Sequence, residues 1–205
     1  MKKLYQTNKA NKLLLIIGLL LLISCANSKK NEVKYQVAQI KTIKGEMLFW
    51  LSDNTPVHKA SFIKLANENY WDSLTFNRVV KDFVIQGGCP DTRKGFSDSP
   101  YLLKPEFNDI LKHVYGALGA GRDNNPEKLS AGCQFYIVHS KDGLARLDGD
   151  YTIFGQIFKG IDVMEAIANV ETNERDSPLK ALTLDVNIIS LTEEELRENG
   201  YELKK

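Results

Sequence analysis

One stretch of the chain combines a cation, an amide and apolar side chains at strand spacing. It reads Phe76-Asn77-Arg78-Val79-Val80-Lys81-Asp82-Phe83-Val84-Ile85-Gln86-Gly87-Gly88. Alternation along a strand predicts that Phe76, Arg78 and Val80 share one face. A guanidinium in such surroundings can donate charge-assisted hydrogen bonds within a groove. It can equally extend to the surface or pair with an acid such as Asp82, and the spacing leaves these alternatives open.

The elements that must position this stretch are mostly short strands. A hairpin is predicted over Val37–Ile43 and Glu46–Leu51, with Met47, Phe49 and Leu51 on one face and Leu48 and Trp50 on the other. Further strands are predicted at Leu74–Val80, Phe83–Gln86, Tyr115–Leu118, Gln134–Val138, Thr152–Phe158 and Leu184–Leu191. Many short strands favour a mainly β fold, a closed antiparallel barrel that protects its edges.

Two helices accompany the strands. The first is predicted to start at Thr55-Pro56, with the Thr55 hydroxyl as its N-cap, and to end near Asn69. The second lies before the last strand, and its inward residues are predicted to be Ile161, Met164, Ile167 and Ala168. Thr192 and Glu195 have the spacing of a capping box, which predicts a short surface helix in a polar tail at 192–205.

Composition limits the function classes. The 205 residues include 27 basic and 26 acidic side chains, and a chain so nearly neutral has no field that would hold a nucleic acid. Cys89, Cys133 and the three histidines, His58, His113 and His139, have no metal-ligand spacing. We therefore expect neither a metal nor another cofactor, and we interpret the histidines as surface or structural residues.

The N-terminal residues differ from the rest. Four lysines precede Leu13–Ile23, an apolar run of about 16 Å, too short for a hydrocarbon core of roughly 30 Å. Leu22-Ile23-Ser24-Cys25 resembles a bacterial lipobox, which predicts a signal peptide at 1–24, a lipidated Cys25 and a tether at 25–34. A short anchor or an ordinary signal peptide remains an alternative. Lipidation places the folded part, 35–191, in the bacterial cell envelope, where a disulfide between Cys89 and Cys133 is allowed.

Several motifs together resemble one family. Phe-x-Arg-Val-x-x-x-Phe-x-Ile-Gln-Gly-Gly is similar to the signature of cyclophilin-type peptidyl-prolyl cis-trans isomerases. The blocks Gly132–Ile137, Leu147–Gly149 and Tyr151–Gly155 are similar to further motifs of that family. The resemblance covers roughly 36–191 and implies an eight-stranded antiparallel β-barrel capped by two α-helices.

The resemblance also implies roles for individual residues. Arg78 becomes the catalytic hydrogen-bond donor and Gln86 its orienting and substrate-bonding partner. The implied substrate-binding residues are Phe83, Val84, Gly121, Arg122, Gln134, Phe135, Tyr136, Leu147 and Tyr151. Among the departures from the family pattern, Arg146 stands where cyclosporin-sensitive members have tryptophan, so we expect weak cyclosporin binding.

Two hypotheses follow from the sequence. The first is an isomerase, expected to be monomeric, that acts on X-Pro bonds of exported polypeptides as they fold, a step slow enough to limit folding. The second is a binding module or chaperone that recognises proline segments with little turnover. Retention of both Arg78 and Gln86 favours the first, because recognition alone does not require a buried cation.

Overall fold

The computed structural model describes residues 32–89 and 99–203. The predicted signal peptide, Cys25 and most of the predicted tether lie outside the described residues. Residues Lys34–Lys205 form one compact unit, to which the following description refers. Within the described part, no helix is both long enough and apolar enough to cross a bilayer.

Ten short strands carry the fold of the described residues. They are β1 (Lys34–Thr42), β2 (Gly45–Leu51), β3 (Phe76–Val80), β4 (Val84–Gly87), β5 (Leu102–Leu103), β6 (Ala117–Ala120), β7 (Ser130–Ala131), β8 (Phe135–Val138), β9 (Ile153–Lys159) and β10 (Leu184–Thr192). Eight of them form one sheet in the order β10-β1-β2-β9-β6-β8-β4-β3, and every neighbouring pair is antiparallel. The remaining two, β5 and β7, pair with each other.

The edges of the large sheet meet at one point. An isolated antiparallel bridge joins Thr75 to Thr183, next to β3 and β10, and the Phe76 N–H donates to the Leu182 carbonyl at 3.0 Å. The predicted eight-stranded antiparallel barrel is confirmed, and its closure consists of this bridge rather than a full ladder. Met47, Phe49 and Leu51 point into the main core, as the alternation of β2 predicts.

Helix α1 (Pro56–Asn67) starts where the sequence predicts, but its N-cap is different. The Thr55 hydroxyl makes no capping bond. Instead, the carboxylate of Glu106 accepts hydrogen bonds from the Val57 N–H at 3.0 Å and the His58 N–H at 2.9 Å. A negative charge at a helix N-terminus is favourable because it meets unpaired N–H groups and the positive end of the dipole.

The remaining α-helices of the described residues are α2 (Ile161–Ala168) and α3 (Glu193–Glu198). In α2, Met164, Ile167 and Ala168 are buried as predicted, whereas Ile161, in the first turn, is 37% exposed and is not a core residue. Helix α3 has the predicted capping box. Its Leu196 is buried against β1 and β2, so the segment predicted as a polar tail begins with a helix packed on the barrel.

A bulge in β3 overturns the predicted facing of its side chains. The pairing of β3 with β4 shifts register between Phe76 and Arg78. Because a bulge adds one residue, it exchanges the two faces of the strand beyond it. Phe76 and Val79 are therefore both buried in the core, while Arg78 leaves the core side and is only partly buried.

Candidate active site

A cavity of about 270 Å³ lies beside β3, β4 and β8. We call it the groove. Its lining consists of Arg78, Phe83, Val84, Gln86, Gly121, Arg122, Tyr136, Leu147 and Tyr151. The structure thus brings together nine of the residues that the sequence singled out, which come from five separate segments of the chain.

The floor and walls of the groove are largely apolar. Val84 and Tyr136 are buried within a small second core, against which Phe83, Leu147 and Tyr151 pack with part of their surface exposed. Burying an apolar ring against this surface is favourable by roughly 25 cal/mol for each Å² of apolar surface removed from water. A five-membered proline ring has the size and polarity that this surface accommodates.

Arg78 and Gln86 form the polar side of the groove. They face each other across β3 and β4, and Arg78 Nη1 donates to Gln86 Oε1 at 3.4 Å. The Arg78 Nε lies 3.5 Å from Asp176 Oδ2, so its acidic partner is Asp176 and not Asp82. The guanidinium carbon also lies 5.7 Å from the centre of the Phe83 ring. A cation is therefore held beside the apolar floor with donors left over for a ligand.

The hydroxyl of Tyr136 is bonded to His113, which is bonded in turn to Asp148. Nothing in the sequence pattern links these three residues. His113 Nε2 lies 2.7 Å from this hydroxyl, and His113 Nδ1 lies 2.6 Å from Asp148 Oδ1. Because Nδ1–H donates a hydrogen bond to the carboxylate, the unprotonated Nε2 accepts a hydrogen bond from the Tyr136 hydroxyl. Burial raises the pKa of Tyr136 well above its usual value, so the hydroxyl stays protonated.

Gly119 on β6 makes room for this tyrosine. An added Cβ would lie 2.3 Å from Tyr136 Cζ and 2.4 Å from its hydroxyl oxygen. The tyrosine ring therefore rests directly on the backbone of β6, and the absence of a side chain at Gly119 fixes its depth in the groove.

Gly121, Arg122 and Tyr151 form the far wall. The Gly121 N–H donates to the Gln134 carbonyl at 2.9 Å, so it is already used within the protein and cannot pair with a substrate. Arg122 Nε donates to the Asp150 carbonyl at 2.8 Å, and its guanidinium carbon lies 4.5 Å from the centre of the Tyr151 ring. Arg122 is thus fixed in place by its own neighbours.

Two predicted substrate-binding residues lie elsewhere. The Gln134 side chain is buried and accepts a hydrogen bond from the Cys89 N–H at 3.1 Å. The Phe135 ring points into the main core, edge-on to Trp71 and Phe76. Neither lines the groove. Alternation along β8 directs Tyr136 toward the groove and Phe135 away from it, whereas Gln134 precedes the strand and its side chain is bonded to Cys89.

Cys89 and Cys133 form a disulfide, a pairing that the sequence left open. Their Cα atoms are 4.9 Å apart. Cys89 follows β4, which carries Gln86, and Cys133 precedes β8, which carries Tyr136. The covalent link therefore ties together two strands that supply the groove.

The three histidines are all buried, so their interpretation as surface residues is wrong and the structural one fits. Each contacts a carboxylate: His58 with Glu106, His113 with Asp148, and His139 with Glu165. His139 also accepts a hydrogen bond from the Asp82 N–H at 2.9 Å, which holds the turn that carries Phe83. Sequence spacing gave no signal for these pairs, whose members lie 26 to 48 residues apart.

The histidine pairs predict acid sensitivity. Burial lowers the pKa of His58 and His113 below 6.5, outweighing the hydrogen bonds to Glu106 and Asp148 that raise it. The unfolded chain therefore binds more protons than the folded one as the pH falls below about 6.5. We expect the free energy of unfolding to be highest above that pH, and below it to fall by up to about 1.4 kcal/mol per pH unit for each histidine.

The carboxylates extend this loss to lower pH. Burial raises the pKa of Glu106 and Asp148, but hydrogen bonds from the histidines outweigh it and lower both values. Their stabilisation is present above their ordinary pKa values and disappears as the pH falls through the lowered ones. Urea unfolding midpoints at about pH 7.5 and about pH 5.5 test the histidine part. Equal midpoints with equal slopes would contradict it.

Comparison with known proteins agrees with this geometry. The family model described as cyclophilin type peptidyl-prolyl cis-trans isomerase/CLD matches residues 37–191. The chain belongs to this family. A Staphylococcus aureus (strain USA300) relative, whose name assigns it provisionally to the peptidyl-prolyl cis-trans isomerases, is 32% identical over 193 residues, with 78% of this chain and 96% of the relative covered. A Staphylococcus saprophyticus relative with the same name is 30% identical, with 76% and 90% covered.

Solved cyclophilins share the fold. A cyclophilin-type isomerase of Cryptosporidium parvum, crystallised in the presence of the dipeptide Ala-Pro, is 25% identical with a TM-score of 0.66 and covers 76% of this chain and 99% of its own. A second structure of the same protein has 26% identity, a TM-score of 0.67 and coverage of 76% and 98%. The chain is thus a cyclophilin-type isomerase over the barrel that carries the groove.

Proposed function

We propose that this cyclophilin-type isomerase accelerates rotation about X-Pro bonds of exported proteins at the surface of a bacterial membrane. The observation that carries the proposal is the position of the Arg78–Gln86 pair beside the apolar floor of the groove, whose cavity of about 270 Å³ can admit a proline ring. Phe83, Val84, Tyr136 and Leu147 hold the proline ring, and Arg122 and Tyr151 bound the polypeptide on the other side.

The reaction is rotation about a partial double bond, whose barrier is about 18–20 kcal/mol. Arg78 donates a hydrogen bond that is stronger when the amide is twisted, because the lone pair then leaves the amide resonance and localises on the proline nitrogen. Gln86 orients the guanidinium, and the desolvated floor strengthens the bond. An acceleration of about 10⁵ requires roughly 7 kcal/mol, which one charged donor and positioning of the ring can supply. No nucleophile or proton transfer takes part.

The test is the exchange between cis and trans forms of an Ala-Pro peptide, followed by NMR line shape with the full-length protein in detergent. Fast exchange by the wild type supports turnover. Peptide binding without acceleration would instead support a proline-recognition module. Light scattering on the same sample tests whether the protein acts as a monomer.

The envelope location rests on the N-terminal residues and on the disulfide. Leu22-Ile23-Ser24-Cys25 resembles a lipobox, and a disulfide such as Cys89–Cys133 persists in oxidising compartments. Lipidation at Cys25 would hold the isomerase at the membrane where exported chains emerge. Mass spectrometry of the wild type is expected to show acylated Cys25 at the N-terminus, and Cys25→Ser is expected to move the protein out of the membrane fraction. An unmodified N-terminus would contradict this anchor.

Cyclosporin binding is expected to be weak. The drug-contacting tryptophan of sensitive family members is replaced by Arg146, whose guanidinium carbon lies 5.0 Å from the Phe83 ring centre. A hydrated cation cannot provide the flat apolar surface of an indole. Calorimetry on wild type and Arg146→Trp is expected to show tighter binding by the variant. A submicromolar dissociation constant for the wild type would contradict the prediction.

A further inference from the structure

Arg146 stands at the mouth of the groove and has no acidic partner among the described residues. It belongs to the short 3₁₀ turn Ala145–Leu147, in which Leu147 lines the groove and Arg146 is exposed. Its guanidinium lies over the Phe83 ring, the same ring that forms part of the apolar floor. This cation–π contact keeps the charge close to any polypeptide whose proline occupies the groove.

The two other arginines of the groove are engaged within the protein. Arg78 contacts Gln86 and Asp176, and Arg122 donates to the carbonyls of Asp123 and Asp150. Arg146, in contrast, makes no hydrogen bond or ion pair with any of the residues at 32–89 and 99–203. None of the described residues therefore uses any of the five N–H donors of its guanidinium.

The charged side chains that border the groove are cationic. Three guanidiniums border it, and no carboxylate belongs to its lining. Of the neighbouring acids, Asp148 contacts His113 and Lys112, and Asp150 contacts Lys128 at 2.6 Å. Asp82, next to Phe83, is exposed and forms no ion pair with the described residues. A concave surface lined by one sign of charge raises the local concentration of the opposite sign.

We infer that Arg146 makes the enzyme prefer proline segments that carry Asp or Glu within two residues of the proline. The inference rests on the proposed function and names the substrate class of the same groove. Because the guanidinium is already held over Phe83, pairing with a carboxylate costs less side-chain entropy than it would for a free arginine. The pair is solvent-exposed, so its contribution is modest and depends on ionic strength.

The test compares matched peptides that carry Glu, Gln or Lys at each of the two positions before and after Ala-Pro. Exchange rates and affinities are measured by NMR with full-length wild type, Arg146→Gln, Arg146→Glu and the control Arg197→Gln, whose arginine is exposed on α3 away from the groove. For at least one position, we expect wild type at low salt to bind and accelerate the Glu peptide about three times better than the Gln peptide. This ratio should shrink at high salt. Arg197→Gln should keep this ratio and Arg146→Gln should abolish it.

Arg146→Glu should shift the preference to Lys. The inference would be overturned by a Glu-to-Gln ratio of one at every position in wild type, or by a Glu preference that persists in Arg146→Gln. In either case, acceleration of the Gln peptides would leave the proposed function standing. If no peptide is accelerated, the proposed function fails, and the affinity ratios from the same titrations still decide the role of Arg146.

Discussion

Replacing Arg78 by alanine is expected to lower the rate of X-Pro isomerisation by at least about a hundredfold. The guanidinium is the charged donor placed beside the apolar floor, and no other residue of the groove can deliver a charge-assisted hydrogen bond from that side. Its side chain is partly exposed, with 39% of its surface accessible, so removal leaves no cavity in the core. We therefore expect the variant to stay folded and to keep part of its peptide affinity.

NMR line shapes of a saturating Ala-Pro peptide measure this effect, and Arg197→Ala serves as the control for loss of a distant exposed arginine. Arg78→Lys tests whether the planar guanidinium, with N–H donors in fixed directions, is required, because lysine keeps the charge but offers a single ammonium group. It should recover only a small part of the rate. Full activity in Arg78→Ala, with circular dichroism unchanged, would remove Arg78 from the mechanism.

Replacing Gly119 by alanine is expected to destabilise the fold by about 1–3 kcal/mol and to lower isomerisation roughly tenfold. The new methyl group would overlap the Tyr136 ring, whose Cζ lies 2.3 Å from the position of the added Cβ. The contact is with a buried ring, tied to His113 at its hydroxyl, so the ring can yield only toward the groove. Tyr136 must then rise into the groove, where it would reduce the space for proline.

A double-mutant cycle separates this clash from a general cost of alanine in β6. Urea unfolding of Gly119→Ala, Tyr136→Val and the double variant should show that the glycine substitution costs little once the tyrosine is shortened. Tyr136→Phe should relieve the clash with the added methyl group only in part, because the ring carbons remain. Additive effects in the Tyr136→Val cycle would show that the overlap is relieved elsewhere.

The arrangement of Arg78 and Gln86 could be predicted from the sequence only in part. Their motif identified both residues and their neighbouring strands. Simple alternation nevertheless placed Arg78 on the same face as Phe76, because a bulge leaves no clear mark on hydrophobic periodicity. The structure resolves this conflict, since the bulge between Phe76 and Arg78 turns the cation toward the groove.

Contacts between distant segments could not be predicted from local patterns. Thr55-Pro56 is a correct helix start, yet the cap comes from Glu106, in a segment without regular periodicity. The same holds for Tyr136, His113 and Asp148, whose connection depends on how three segments meet. Capping and turn signals act within a few residues, whereas these partners are selected by the closed sheet.

The pairing of the first strand with the last also governs when the protein can fold. β1 lies between β2 and β10, and it is aligned with β10 over nine residues from Lys34–Thr192 to Thr42–Leu184. During synthesis, the N-terminal strand β1 is made first, but its partner β10 is made only after most of the chain. The sheet therefore cannot be completed on a partly synthesised chain. An isomerase built in this way becomes active only after nearly all of its own chain has been made.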